Sequence, residues 1–102
     1  MFRQGDILLV KVDVGQLTDK FKEVLSDNGR IVLAYGETTG HAHALPASTS
    51  TLYAWEDNRL LKVIGKTAVK HEEHAPIALL PGVYRVIRQR EYSPEAIRHV
   101  SD

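Results

Sequence analysis

Cysteine is absent from this chain of 102 residues, and methionine and tryptophan each occur once. Without cysteine the protein has no disulfide bonds, no thiolate zinc site and no cysteine nucleophile, so its stability must come from a packed core. Long apolar runs are absent as well: in the N-terminal stretch MFRQGDILLVKV, the longest apolar run is the four residues ILLV. Such a run is too short for a signal peptide or a membrane span, so we expect a cytoplasmic protein with no membrane partner.

An excess of charge of either sign is also lacking, because Lys and Arg (13) balance Asp and Glu (13). The protein therefore has no overall field that would attract nucleic acid or an anionic membrane. Hydrophobic residues make up 43% of the chain and charged residues 25%, as in ordinary soluble globular proteins. The length suits one hydrophobic core, so we predict a single domain over residues 1–102.

Short β-branched and apolar runs, separated by turn residues, recur along the chain. They predict strands at residues 7–12, 30–35, 51–55, 59–64, 66–69 and 83–91. Asp, Asn and Gly at residues 27–29 and Glu, Asp and Asn at residues 56–58 predict hairpin turns. Residues 17–25 are ambiguous, because their apolar residues have helical spacing but precede a turn; we favour a short helix or an irregular loop there.

The regular spacing of these strands favours a mainly β fold, a small antiparallel β-barrel or sandwich. At the C-terminal end, Ser93 is a good N-cap and Pro94 suits the first position of a helix, which predicts a short terminal helix that includes His99. Exposed edge strands could pair between two copies of the chain, so a homodimer is possible.

Histidine is the residue type whose placement carries most information about function. Four of the five histidines form two close pairs, His41 and His43 in GHAHAL and His71 and His74 in KHEEH. Residues two apart in a strand face the same side, so His41 and His43 should present both rings from one face. Residues three apart come together in a turn, which the intervening glutamates favour for the second pair.

These two pairs predict one shared site for a divalent metal ion such as zinc, iron, nickel or manganese. The candidate ligands are His41, His43, His71 and His74, and the candidate acid, base or further ligand groups are Glu72, Glu73 and His74. If the protein is an enzyme, metal-assisted hydrolysis or oxidation is the expected class. The competing interpretation is that histidines at turns and strand ends are ordinary surface residues.

Two other functions use the same residues without a metal. A histidine pair that donates and accepts protons can cleave RNA, with the phosphate held by candidate substrate-binding residues Lys70, Arg85, Arg88 and Arg90. Alternatively, the protein is a non-catalytic module that binds RNA or a protein partner. Tyr53 and Trp55 share a strand face, which suits base stacking but is more typical of cross-strand packing.

Several sequence blocks resemble known families. RQGDILLVKV, NGRIVLAYGETTGHAHAL and HEEHAPIALLPGVYRVIRQREYSPEAIRHV are similar to a family of small uncharacterised bacterial and phage proteins, a resemblance that implies no activity. Residues 36–45 resemble the first half of the cupin metal motif, which implies a barrel strand with two metal-binding histidines. Where cupins next have a glutamate ligand, this chain has Ala47 and Ser48. GDILLVKV resembles the first strand of the co-chaperonin barrel.

Overall fold

The computed structural model of the chain describes residues 1–36 and 40–89. Its regular elements are strands apart from a single 3-10 turn at Val14–Gln16. The strands are β1 (Phe2–Gln4), β2 (Ile7–Val12), β3 (Lys22–Val24), β4 (Arg30–Tyr35), β5 (Ala42–Pro46), β6 (Ser50–Trp55), β7 (Asn58–Val63), β8 (Thr67–Val69), β9 (Ile77–Leu79) and β10 (Gly82–Arg88). The predicted β class is thereby confirmed.

Six of the strands form one antiparallel sheet in the order β1-β2-β10-β7-β6-β3. The outer strands β1 and β3 do not pair with each other, so the sheet stays open, and the prediction of a closed barrel is wrong. Both outer strands have three residues, and in natural proteins short edge strands limit pairing with other chains.

Both predicted hairpin turns are confirmed. Strands β6 and β7 pair up to Trp55 and Asn58, which leaves a two-residue loop between them. Before β4, the backbones of Asp27 and Arg30 exchange hydrogen bonds of 2.8 and 3.0 Å around Asn28 and Gly29. Asn28 and Gly29 have φ values of 53° and 79°, the left-handed pair that a type I′ turn requires.

Residues 17–25 do not form the short helix that their apolar spacing favoured. Residues 22–24 instead form strand β3, which pairs with β6. The physical reason is the aromatic anchor on β6: the Phe21 ring packs edge-on against Trp55 at 5.8 Å, and the Lys20 ammonium lies 4.9 Å from the Trp55 ring. Leu25 stays exposed, so the helical spacing does not mark a core-facing surface.

A second layer consists of the β4–β5 and β8–β9 hairpins. An antiparallel bridge between Ala44 and Lys70 joins the two hairpins. The hydrophobic core contains buried residues of both layers, so it lies between them; they include Leu9, Leu61 and Tyr84 of the large sheet and Ile31, Leu45, Val69 and Leu79 of the hairpins. This packing fixes the ends of β5 and β8, where the two histidine pairs lie.

The predicted C-terminal helix, with Ser93, Pro94 and His99, lies outside the described residues, as does the end of the strand predicted at residues 83–91. Within residues 1–36 and 40–89, no helix has the length and apolarity needed to cross a membrane.

Candidate metal centre

The bridge between the two hairpins places the histidine pairs side by side. The backbone of Ala44 donates a hydrogen bond of 3.0 Å to Lys70 and accepts one of 2.8 Å from it. His43 precedes Ala44, and His71 follows Lys70, so antiparallel pairing at this point makes the two histidines neighbours. We call residues 70–76, which link β8 to β9, the connecting segment.

The four imidazole rings meet at one end of the second layer. The centre of the His71 ring lies 5.7 Å from that of His41, 4.3 Å from that of His43 and 4.7 Å from that of His74. The rings of His43 and His74 are nearly parallel at 6.0 Å. Both rings of the first pair contact His71, so they lie on one side of the strand, as their spacing predicted.

The buried amide of Gln4 determines the proton position on His43. The Gln4 Nε2 donates hydrogen bonds to the carbonyls of Val69 and Ala75, at 3.0 and 2.9 Å. The amide oxygen therefore faces the His43 ring, and it lies 2.8 Å from Nδ1. Because an amide oxygen only accepts, His43 Nδ1 carries the proton and the neutral ring keeps its lone pair on Nε2.

His43 is only 3% exposed, and its Nε2 lies 3.5 Å from Oδ1 of Asp6. Burial lowers the pKa of His43 from its ordinary value, and the electrostatic effect of nearby His71 lowers it further, whereas the Asp6 carboxylate acts in the opposite direction. Arg88 donates to Oδ2 of Asp6 at 3.3 Å and to the carbonyl of Tyr35 at 3.2 Å. At neutral pH His43 is therefore a neutral imidazole with a lone pair on Nε2.

His41 is oriented in the same way, by a carboxylate. Its Nδ1 lies 2.9 Å from Oε2 of Glu73. A carboxylate accepts, so Nδ1 carries the proton, and the neutral His41 ring has its lone pair on Nε2. In metal sites, ligating histidines commonly donate their second ring N–H to a carboxylate or carbonyl in this manner.

Glu72 completes a group of potential ligands. One of its oxygens accepts the backbone N–H of Ala42 at 2.9 Å, and this hydrogen bond is the main reason that the pKa of Glu72 is below its ordinary value. Glu72 is therefore ionised at neutral pH. One ligand atom each from His41, His71 and Glu72 lies within 4.8 Å of the other two. We call these three residues the metal group.

His71 needs one adjustment to act as a ligand. Its Nδ1 accepts the backbone N–H of Glu73 at 3.0 Å, which leaves the ring proton on Nε2. Coordination through either nitrogen requires this hydrogen bond to break. The other two predicted ligands have different surroundings. His43 is turned to Gln4 and Asp6. His74 packs closely against the β1–β2 turn, since a Cβ added to Gly5 would lie 2.9 Å from its Nε2.

The cations predicted to hold a phosphate are not brought together in one patch. Arg85 and Arg88 line one cleft, whereas Lys70 lines another. The Arg85 guanidinium donates to Asn58 and Gln16, and that of Arg88 donates to Asp6 and Tyr35. Arg90 lies outside the described residues.

The β1–β2 turn contains the site residues that the sequence did not identify: Gln4, Gly5 and Asp6. Gly5 has a φ of +58°, and a left-handed first position is typical of the turns that favour glycine there. A glycine between two polar residues ahead of an apolar strand signals a hairpin. The contact of this turn with residues 43 and 69–75 is a tertiary effect that no local pattern contains.

Comparisons with known proteins add a family but no activity. A search of curated proteins and a search of solved structures each returned no significant match. Residues 3–89, which include the β1–β2 turn and both histidine pairs, match the model of a family described as a domain of unknown function. The chain therefore belongs to this uncharacterised family, DUF8820.

Proposed function

We propose that this protein binds a divalent metal ion of the zinc, iron, nickel or manganese class through the metal group His41, His71 and Glu72. The observation that carries the proposal is the closeness of three ligand atoms from two chain segments, all within 4.8 Å of one another. Two imidazole nitrogens and a carboxylate oxygen suit a borderline divalent ion better than calcium or magnesium, which prefer oxygen ligands.

The hydrogen bonds around the group support this proposal. Glu73 orients His41 so that Nε2 offers a lone pair, and the Ala42 amide keeps Glu72 ionised. Metal ligands have to be deprotonated, so the ionised Glu72 favours binding at neutral pH, and the contact with Glu73 leaves His41 Nε2 as the nitrogen that faces away from the carboxylate. The His71–Glu73 hydrogen bond opposes binding by roughly 1 kcal/mol, which is small beside the roughly 10 kcal/mol that zinc contributes in structural sites.

Metal-assisted hydrolysis is the reaction class that the site suits best. Catalytic zinc sites often combine two histidines and one glutamate with a remaining position for water or substrate. His43 lies beside the group, since its ring centre is 4.3 Å from that of His71. Because its pKa is lowered, His43 is unprotonated at neutral pH, and its Nε2 lone pair is a candidate proton acceptor for such a reaction.

The test is calorimetric titration of the metal-free protein with zinc, nickel, iron(II) and manganese(II) at neutral pH. We expect one ion per chain for at least one of these metals, and loss of about 1.4 kcal/mol of binding free energy or more, at least tenfold in affinity, in His41→Ala and Glu72→Gln. Glu23→Gln, which changes an exposed glutamate of strand β3, is the matched control and should bind as the original chain does. Equal affinity in Glu72→Gln and Glu23→Gln would refute the proposal.

The second candidate is metal-free acid and base catalysis by the histidines, including cleavage of RNA. The observation that favours it is the nearly parallel arrangement of His43 and His74 at 6.0 Å, with His43 neutral. This function predicts RNA cleavage that persists with a chelator and is lost in His74→Ala. Cleavage that stops when metal is removed assigns the activity to the metal group instead.

A further inference from the structure

A second feature borders the metal group: a cleft of about 430 Å³ along strand β5. Its volume lies in the range of small-molecule sites. Its lining includes Arg30, Pro46, Lys70, His71 and Glu72. Because His71 and Glu72 belong to both the cleft and the metal group, a molecule in the cleft lies next to the metal group.

The walls of the cleft combine an apolar surface with positive charge. Pro46 supplies an exposed apolar side chain, whereas Arg30 and Lys70 supply exposed cations. Within the described part of the chain, neither cation forms an ion pair with a carboxylate. Positive charges along a cleft with apolar walls raise the local concentration of anions.

Glu72 is the one acidic residue in this lining. Its carboxylate would repel an anion in the metal-free protein. A divalent ion bound to Glu72 reverses that effect, because its double charge outweighs the carboxylate. The charge that the cleft presents therefore depends on the metal group beside it.

We propose that this cleft binds a small organic anion, an apolar body with a phosphate or carboxylate head, between Arg30 and Lys70 and next to the metal group. The highest affinity for the anion rests on the proposed metal site, because the bound ion offsets the negative charge of Glu72. It assigns the apolar body to the wall at Pro46, and the anionic head to the cations. It thereby names the substrate class for the metal site.

The test uses three probes of similar size: phenyl phosphate, benzoate and the neutral benzyl alcohol. Each is titrated into ¹⁵N-labelled protein, metal-free and zinc-loaded, while the amide signals of Ala44, Leu45 and Lys70 are followed. Both anions should shift these signals, more strongly with zinc, and benzyl alcohol should not at the same concentration. The tighter of the two anions identifies the head group as phosphate or carboxylate.

Lys70→Ala and Arg30→Ala should each weaken binding of the tighter anion roughly fivefold to tenfold, as expected for loss of one charge-assisted hydrogen bond. Lys62→Ala changes an exposed lysine of β7 outside the cleft and is the matched control. Equal binding of benzyl alcohol, or equal effects of Lys70→Ala and Lys62→Ala, would overturn the proposal.

The two proposals fail separately. If zinc binds to the metal group but neither anion shifts the cleft signals, the cleft proposal is wrong and the metal proposal stands. If zinc does not bind but the anions bind metal-free protein in a Lys70-dependent manner, the cleft proposal survives without the metal.

Discussion

The two sides of the candidate site are held in place by different means. On the strand side, His43 lies in β5, where it pairs opposite Ala34 of β4 and is almost fully buried. On the other side, the connecting segment lies between two strands. Its first residue, Lys70, pairs with Ala44 through the backbone, and side-chain hydrogen bonds attach the residues that follow. They join Gln4 to Ala75, Glu72 to Ala42 and Glu73 to His41.

This difference gives the two sides of the site different roles. Backbone pairing and burial fix the direction of His43, and the Gln4 amide fixes its protonated nitrogen. The connecting segment supplies candidate ligands whose positions depend on a few side-chain contacts. Binding of a metal requires His71 to give up its hydrogen bond from Glu73, a change that a segment outside the strands accommodates readily. Changes to those contacts should therefore affect the connecting segment before the strand.

The largest effect is expected for Gln4→Leu, which removes the link between the two sides. The buried carbonyl of Val69, the partly buried carbonyl of Ala75 and the Nδ1–H of buried His43 would lose their partner. We expect a loss of roughly 3 kcal/mol in the free energy of unfolding, measured with urea, and faster hydrogen exchange in the connecting segment than in β5. Gln16→Leu, which removes an exposed contact to Arg85, is the control; an equal loss in both variants would contradict the assigned role of Gln4.

A smaller effect is expected for Gly5→Ala, which tests the packing of the β1–β2 turn against the histidines. Both Gly5 and Gly29 have positive φ, so alanine at either costs roughly 1–2 kcal/mol in backbone strain. A Cβ at Gly5 would also lie 2.9 Å from His74 Nε2 and 3.3 Å from His43 Cε1, whereas at Gly29 it meets nothing within 4 Å.

Urea unfolding should therefore give a greater loss for Gly5→Ala than for Gly29→Ala. The ring signals of His74 should shift in the first variant alone, because its exposed side chain moves more easily than buried His43. Identical stabilities and unshifted His74 signals would show that the turn does not pack against this side of the site.

The smallest expected effect is a change in how the free energy of unfolding depends on pH, and it concerns only His43 on the strand side. The folded protein lowers the pKa of His43 below its ordinary value of 6.5, so just below pH 6.5 the unfolded chain binds more protons. The contribution of His43 to stability is thus fully present above pH 6.5 and falls as the pH drops toward the lowered pKa. In metal-free protein, His43→Gln should flatten the dependence of unfolding free energy on pH in this range; an unchanged slope would contradict the burial argument.

Local patterns in the sequence predicted much of the fold. Alternating apolar residues, the Asn28-Gly29 turn and the β6–β7 hairpin were recognisable because short-range geometry determines them. The side shared by His41 and His43 followed from the two-residue period of a strand. The helical spacing in residues 17–25 was misleading, since contacts with Trp55 decide that region.

The remaining features depend on contacts between distant residues. Gln4 reaches carbonyls 65 and 71 residues away, and no spacing rule contains such a contact. Whether a sheet closes into a barrel likewise depends on whether its outer strands pair with each other. For this reason the sequences of a barrel and of an open sheet look alike. The choice of His71 and Glu72 over His43 as partners of His41 depends on ring orientation.

The most direct test of the central claim is a crystal structure of the zinc-loaded protein with diffraction measured at the zinc absorption edge. We expect one anomalous peak, about 2.0–2.2 Å from a ring nitrogen of His41, a ring nitrogen of His71 and an oxygen of Glu72. The hydrogen bond from Glu73 to His71 should be absent in that structure. A peak bound instead by His43 and His74, or no peak near the four histidines, would contradict the proposed metal group.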